Sequence, residues 1–424
     1  MDPLKLQAVV EKNANELQGV YGVFDPTRIP QLTFQTFENF HQISAAVSPD
    51  CSYRLVRDAL NAAEESIDLY IYNLSADHLL DLLREAKQRG VAIRLMYDVM
   101  DTRGDEKAKI QQLGVARKEA PSSGRRKVFT VCHQKFAVID RRALLLGSAN
   151  WASSSIPKVT IPFKFKKGNR EWLIYIEDES LAEWYATLFQ ADWDIPELDG
   201  PQGVAAPAPE PVATLEARAA AVTLPPEVFD IKTPDSTDDI RVTPILSPDN
   251  YFKLVRKLIR DAQTSIDIEQ QYIQAGGAKT KALLEELSAR KDEVEIRIIV
   301  SPAYPESWDS TVATLTAADL IDRLRAINLN TFTHLHNKGV LVDGKYAVVT
   351  STNMSENSIT KAREAGVLIE SEEIGSYFKS VVDADWESGI DPADVQSHLA
   401  TIENVMSMVE EPSIDIHPAD LRMV

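Results

Sequence analysis

Apolar positions along this chain alternate between two spacings. Leu55, Val56, Leu60 and Ala63 fall on one face of a 3.6-residue period, which predicts an amphipathic helix over 53–65. A short β-rich run follows at 67–72. A second helical pattern covers 76–89 and is closed by Gly90 as the residue after the helix end. Residues 91–97 read as another strand. Two further apolar runs, 136–139 and 143–146, flank Asp140-Arg141-Arg142 and predict a β-hairpin. Helices alternating with short apolar strands predict an α/β fold with a sheet covered on both faces.

The pattern then starts again. Ser48-Pro49-Asp50, Leu55-Val56-Arg57 and Ser66-Ile67-Asp68 recur as Ser247-Pro248-Asp249, Leu254-Val255-Arg256 and Ser265-Ile266-Asp267, each 199 residues later. Ile93-Arg94, His133 and Asn150 recur at an offset of 203, and Glu171 and Trp193 at 193. So long a collinear series marks two copies of one unit, with only loop lengths drifting. The predicted organisation is an N-terminal extension (1–47), a first unit (48–195), a linker (196–239), a second unit (240–395) and an acidic tail (396–424). The linker holds Pro201, Pro207, Pro209, Pro211, Pro225 and Pro226 among Ala, Glu and Thr, a semi-extended composition.

Composition narrows the function classes. A net charge of −19 repels nucleic-acid backbone and anionic membrane at long range, although salt confines fields to about 8 Å and leaves room for a local basic groove. The two cysteines, Cys51 and Cys132, have no metal-ligand spacing and form no disulfide framework, which suits a reducing compartment. No apolar run is long enough to span a bilayer, and the charged N-terminus lacks a signal-peptide core. The expectation is a soluble, cytoplasmic protein whose membrane contact is peripheral. No metal site and no cofactor is expected.

The chemistry lies in two matching motifs. The first is His133-Gln134-Lys135, then Asp140, then Gly147-Ser148-Ala149-Asn150. The second is His336-Asn337-Lys338, then Asp343, then Thr350-Ser351-Thr352-Asn353, at the same gaps. On a strand, residues two apart share a face, so His133 projects with Lys135 and His336 with Lys338. Packed about a pseudo-twofold axis, the four side chains converge. Two ammonium groups can hold the oxygens of a phosphate, and two imidazoles can act as nucleophile and general acid at neutral pH. Ser148, Asn150, Ser351 and Asn353 can donate hydrogen bonds to the same oxygens. Asp140 and Asp343 follow the strand near a turn, where side-chain to backbone bonds favour a structural role.

These residues resemble the phospholipase D superfamily, with Thr350 in place of the usual Gly as the one departure. The resemblance covers most of the chain. It implies two tandem α/β units packed as a pseudo-twofold pair, and a metal-independent phosphodiesterase working through a covalent phosphohistidine. By analogy His133 is the nucleophile and His336 the general acid and then base. Related enzymes also carry an acidic residue that orients the imidazole. Glu171 and Glu364, each entering an apolar strand, take that role, the alternative being a surface salt bridge with the preceding Arg170 or Arg363. One chain then completes the site as a monomer.

Two features bear on the substrate. Asp267-Ile268-Glu269-Gln270-Gln271-Tyr272-Ile273 looks like a strand of true phospholipases D that ends beside the active site; it also reads simply as a strand with a polar end. Between Asn150 and Glu171 lie ten more residues than between Asn353 and Glu364, including an alternation of apolar and basic residues over 156–167. This insertion can be an interfacial loop on lipid, a nucleic-acid groove, or a structural β-hairpin. Arg125, Arg126 and Lys127 can join either basic surface. A phospholipid is the leading substrate, by hydrolysis or by cardiolipin-synthase-like transfer. A nuclease of the same superfamily is the main rival, with the net charge against it. His334 shares a face with His336, whereas His41, His78, His398 and His417 have no partner spacing.

Overall fold

The computed structural model describes residues 24–98, 104–123, 126–197 and 224–400. The first unit runs β1 (Gln42–Ser48), α1 (Ser52–Asn61), β2 (Ser66–Ile71), α2 (Asp77–Gln88), β3 (Ala92–Tyr97), α3 (Gly104–Gln112), β4 (Ala116–Glu119), β5 (Lys135–Ile139), β6 (Ala143–Gly147), β7 (Asn169–Glu177) and α4 (Glu179–Asp194). The second runs β8 (Arg241–Ser247), α5 (Tyr251–Asp261), β9 (Ser265–Gln270), α6 (Ala278–Arg290), β10 (Glu295–Val300), α7 (Pro305–Ala317), β11 (Leu324–Ala326), β12 (His334–Leu335), β13 (Val340–Val342), β14 (Tyr346–Thr350), α8 (Glu356–Thr360), β15 (Glu364–Glu370) and α9 (Glu372–Glu387).

The two mixed sheets have the same topology. One has strand order β1-β7-β6-β5-β2-β3-β4, and the other β8-β15-β14-β13-β9-β10-β11, element for element. The parallel strands β2, β3 and β4 are joined through helices, and the antiparallel strands β5, β6 and β7 by turns or loops. The hairpin turns at Asp140 and Asp343, both in the left-handed region (φ 51° and 56°). Asp140 accepts from the backbone amides of Glu64, Glu65 and Ser66, and Asp343 from those of Gln263, Thr264 and Ser265. Each carboxylate thus ties the hairpin to the start of β2 or β9, which is a structural role.

The expected boundary at residue 48 falls too late. β1 starts at Gln42 and pairs along its length with β7, so it belongs to the first unit's sheet. Of the predicted linker, residues 198–223 lie outside the described residues. Its C-terminal part is pinned to the first unit: Phe229 N donates to Asp50, and Lys232 bridges Ala45. The described part of the tail ends at residue 400.

The departure at Thr350 has a steric explanation. Gly147 pairs across the strands with Leu173, and a Cβ at 147 would lie 2.4 Å from the Trp172 carbonyl oxygen. In the second unit the cross-strand pair is Thr350 and Gly366, and a Cβ at 366 would lie 2.5 Å from Thr350 Cβ. The crowded pair has one glycine in each unit, on opposite strands.

Helices α4 and α9 pack on the two sheets and meet the opposite unit. Trp172 of β7 stacks on Phe378 of α9 with ring centroids 4.2 Å apart, and Tyr185 of α4 donates to the Gly366 carbonyl at 2.6 Å. Two buried arginines clamp the units. Arg170 holds Asp385 of α9 through two bonds (2.7 and 2.9 Å) and Asp50 of its own unit at 3.0 Å. Arg363 holds Asp192 of α4 (3.0 and 2.9 Å) and Asp249 at 3.0 Å. Planar two-point pairing suits buried guanidinium groups, and removing one partner strands a buried charge. Arg363→Ala is therefore expected to lower unfolding free energy by about 3–5 kcal/mol, read from urea midpoints. A loss near zero would show that the clamp does not hold the units together.

Candidate active site

The motif histidines stand where the two units exchange backbone hydrogen bonds. Cys132 bridges Arg363, and His133 N donates to the Arg363 carbonyl at 2.8 Å. In the mirror arrangement β12 pairs with the start of β7, and His336 N donates to the Arg170 carbonyl at 3.1 Å. Each histidine is thereby registered against the residue that precedes the other unit's glutamate. The expectation that His and Lys project from a single strand needs correction. β5 begins at Lys135, and His133 lies just before it on the segment that pairs across the units. Lys338 likewise precedes β13.

The consequence is a crossed support. His133 Nδ1 lies 2.9 Å from Glu364 Oε2, and His336 Nδ1 lies 2.8 Å from Glu171 Oε1. All four side chains are fully buried. Each glutamate holds the imidazole of the opposite unit, and the preceding arginines pair with the aspartates described above rather than with the glutamates. Ser148 donates to Glu171 and Ser351 to Glu364, both at 2.6 Å. Ser148 accepts from Trp172 N and Ser351 from Ala365 N at 3.1 Å. The single proton of each hydroxyl is thus committed to a glutamate, which differs from the expected donation to a phosphate.

The ring centroids of His133 and His336 are 6.3 Å apart. Lys135 Nζ donates to the His133 carbonyl at 2.5 Å and sits 4.9 Å from the Tyr72 ring centre. Lys338 Nζ donates to the His336 carbonyl and to Gln271 Oε1, the latter at 3.3 Å. The end of the 267–273 element therefore does reach the site, through Gln271. Tyr72 stands at the matching place in the first unit, also edge-on to His133 at 4.6 Å. Buried polar atoms without a hydrogen-bond partner include His133 Nε2, Asn150 Oδ1, and both amide atoms of Asn353. Unsatisfied buried polar atoms are costly, and these four, on motif residues of both units, are available to a polar ligand. His334 is buried beside His336, with ring centroids 5.8 Å apart, and its Nδ1 lies 2.5 Å from Ser301 Oγ. Among the described residues no group of three or more His, Cys, Asp or Glu could hold a metal ion.

The two imidazoles are not electrostatically equivalent. His133 Nδ1 also lies 3.1 Å from the Ser351 carbonyl, which can only accept. Nδ1 therefore carries a proton, and in the neutral ring Nε2 bears the lone pair. Burial, followed by the charges of Lys135 and Lys338, holds the His133 pKa well below its usual value. Burial raises the Glu364 carboxyl to about 7, against the opposing pull of Lys135. Burial also acts to raise Glu171, but His336 and Lys338 outweigh it and hold that carboxyl below its usual range. The arrangement offers a free imidazole lone pair on one side and a carboxylate-backed imidazole on the other, flanked by two ammonium groups.

Sequence reasoning named Arg170 and Arg363 only as surface partners of the glutamates and missed Asp192 and Asp385, although each pair repeats at the offset of 193 already visible for Glu171 and Trp193. Arg125 lies outside the described residues. Arg126 is buried and donates to the carbonyls of Glu119 and Asp192, so it does not belong to an exposed basic surface. The insertion 156–167 contains no strand, which removes its β-hairpin reading.

The family model described as "Cardiolipin synthase, PLD-like domain" matches residues 56–193 and 255–386. Human mitochondrial cardiolipin hydrolase is 29% identical over 143 residues, which is 33% of this chain and 50% of that protein. A phospholipase D of Rickettsia felis is 30% identical over 132 residues, covering 31% and 59% of the two chains. The chain spans about half the length of the curated relatives it matches. Phosphatidylserine synthase of Haemophilus influenzae Rd KW20 has the same fold, with a TM-score of 0.60 at 14% identity, over 94% of this chain and 98% of that one.

The raised Glu364 predicts the pH dependence. As pH rises through about 7, Glu364 ionises and draws on Nδ1–H, making His133 Nε2 more basic. kcat/KM for a small soluble phosphodiester should rise along one ionisation near 7. Glu364→Gln should remove that limb and lower the plateau at least ~100-fold. A variant that keeps the wild-type profile would show that Glu364 does not set the state of His133.

Proposed function

The chain belongs to the cardiolipin synthase, PLD-like domain family, and on that footing we propose that it hydrolyses a phosphodiester bond of a phospholipid through a covalent phosphohistidine. One observation carries the proposal: the crossed His–Glu pairs, with His133 Nε2 holding a free lone pair. In the first step His133 Nε2 attacks phosphorus and forms a P–N bond. The P–O bond to the leaving alcohol breaks, and His336 donates its Nε2 proton to that oxygen. In the second step a water attacks phosphorus and gives its proton to His336, and the P–N bond breaks to free His133. Lys135 and Lys338 offset charge on the non-bridging oxygens, and the amides of Asn150 and Asn353 hydrogen-bond to them. Glu171 and Glu364 position the rings, with Ser148 and Ser351 holding the glutamates. No metal enters either step.

The printed names of the relatives, cardiolipin hydrolase and phospholipase D, support a lipid substrate. The description of the family model supports a second outcome at the same site, in which an alcohol replaces water and the phosphatidyl group is transferred. No described helix is long and apolar enough to cross a membrane. With Cys51 and Cys132 both free and buried, the reading places the enzyme in the cytoplasm, working at a membrane surface.

His133→Ala should reduce hydrolysis of phosphatidylglycerol and of bis(4-nitrophenyl) phosphate at least ~10⁴-fold, while EDTA should leave the wild type unchanged. Full activity in the variant, or loss of wild-type activity with EDTA, would contradict the mechanism. Cleavage of single-stranded DNA with no lipid turnover would overturn the substrate.

A further inference from the structure

The insertion 156–167 is a closed-neck surface loop. Asn169 N donates to the Ser154 carbonyl at 2.7 Å and Asn169 Nδ2 to Ser155 Oγ at 3.0 Å, so the two ends of the loop meet. Gly168 sits in that neck, where a Cβ would lie 2.7 Å from the Ser154 carbonyl oxygen. The stalk is anchored on the second unit. Phe165 packs edge-on to Phe332 with centroids 6.0 Å apart, and Lys167 Nζ donates to the Leu329 carbonyl at 2.5 Å.

The tip faces outward. Ile161 is 57% and Phe163 68% exposed, and Leu224 is the one other exposed large hydrophobic among the described residues. Pro162 between them is exposed too, as are Lys158, Lys164 and Lys166 around them. The surrounding sequence has no Asp or Glu between Asp140 and Glu171, in a chain of net charge −19. An apolar tip ringed by ammonium groups matches the interface of an anionic bilayer, where rings enter the acyl boundary and lysines meet headgroup phosphates. In the sequence the loop lies between two site residues, Asn150 and Glu171.

We propose that the 156–167 loop docks the chain on an anionic lipid surface through Ile161 and Phe163, with Lys158, Lys164 and Lys166 on the headgroups. The proposal rests on the phospholipid reading and adds how the enzyme reaches its substrate. Each lysine near such a surface contributes a factor of about 5 in affinity.

The test is vesicle sedimentation of the full chain with phosphatidylcholine–phosphatidylglycerol vesicles and with phosphatidylcholine alone. Hydrolysis of bis(4-nitrophenyl) phosphate is measured on the same samples. The wild type should bind the anionic vesicles preferentially. Ile161→Ser/Phe163→Ser should weaken that binding about tenfold or more, and Lys158→Gln/Lys164→Gln/Lys166→Gln by about a hundredfold. Both variants should cleave the soluble diester at the wild-type rate. Unchanged vesicle binding in both variants, or no binding by the wild type, overturns the loop's role. So does loss of binding to a single-stranded oligonucleotide in place of vesicles. A wild type that binds vesicles but cleaves no diester would instead count against the phosphodiesterase reading and leave the docking loop standing.

Discussion

Each motif histidine is held by a glutamate from the other half of the molecule, and the rest of the architecture serves that crossing. An acceptor on one ring nitrogen fixes the tautomer of an imidazole and aims the lone pair of the other. Here Glu364 supplies that acceptor to His133 and Glu171 supplies it to His336. Neither unit alone contains a supported histidine. The bridge from Cys132 to Arg363 and the pairing of β12 with β7 set the register within which the crossed pairs form. The two arginine clamps fix the same junction from behind, one residue before each glutamate. Because these ionic groups are buried, loss of one partner is far costlier than loss of a surface pair.

Two imidazoles 6.3 Å apart beside two ammonium groups cannot comfortably both be imidazolium cations. The site resolves this by asymmetry. The Ser351 carbonyl and the buried, weakly acidic Glu364 favour a neutral His133 with its lone pair on Nε2. Glu171, held below its usual range, backs His336. The duplicated unit thus places two differently supported imidazoles in one site, which is what the proposed division into nucleophile and general acid requires.

Much of this was legible in the sequence, because repetition is a signal that needs no structure. The offsets of 199, 203 and 193 revealed two units, and the α/β fold followed from the alternation of helical and strand periods. The structure also places Glu171 and Glu364 at the imidazoles and Asp140 and Asp343 in turns. Which glutamate serves which histidine was not legible. Glu171 is 38 residues from His133 and 165 from His336, and chain distance says nothing about pairing between two sheets. The exchange of Gly147 and Leu173 for Thr350 and Gly366 required the strand register. The commitment of the Ser148 and Ser351 protons required the geometry of the glutamates they support. Arg170 and Arg363 read as ordinary surface partners until their burial and their aspartates were visible.

The claim on which the account turns is that His133 alone becomes covalently modified within a site built by both units. The most direct measurement is a base-stabilised quench of the wild-type enzyme during turnover of a phospholipid, followed by mass spectrometry of its peptides. The account predicts a phosphatidyl adduct on the peptide containing His133 and none on that containing His336. An adduct on His336, or turnover with no adduct on either histidine, would contradict it.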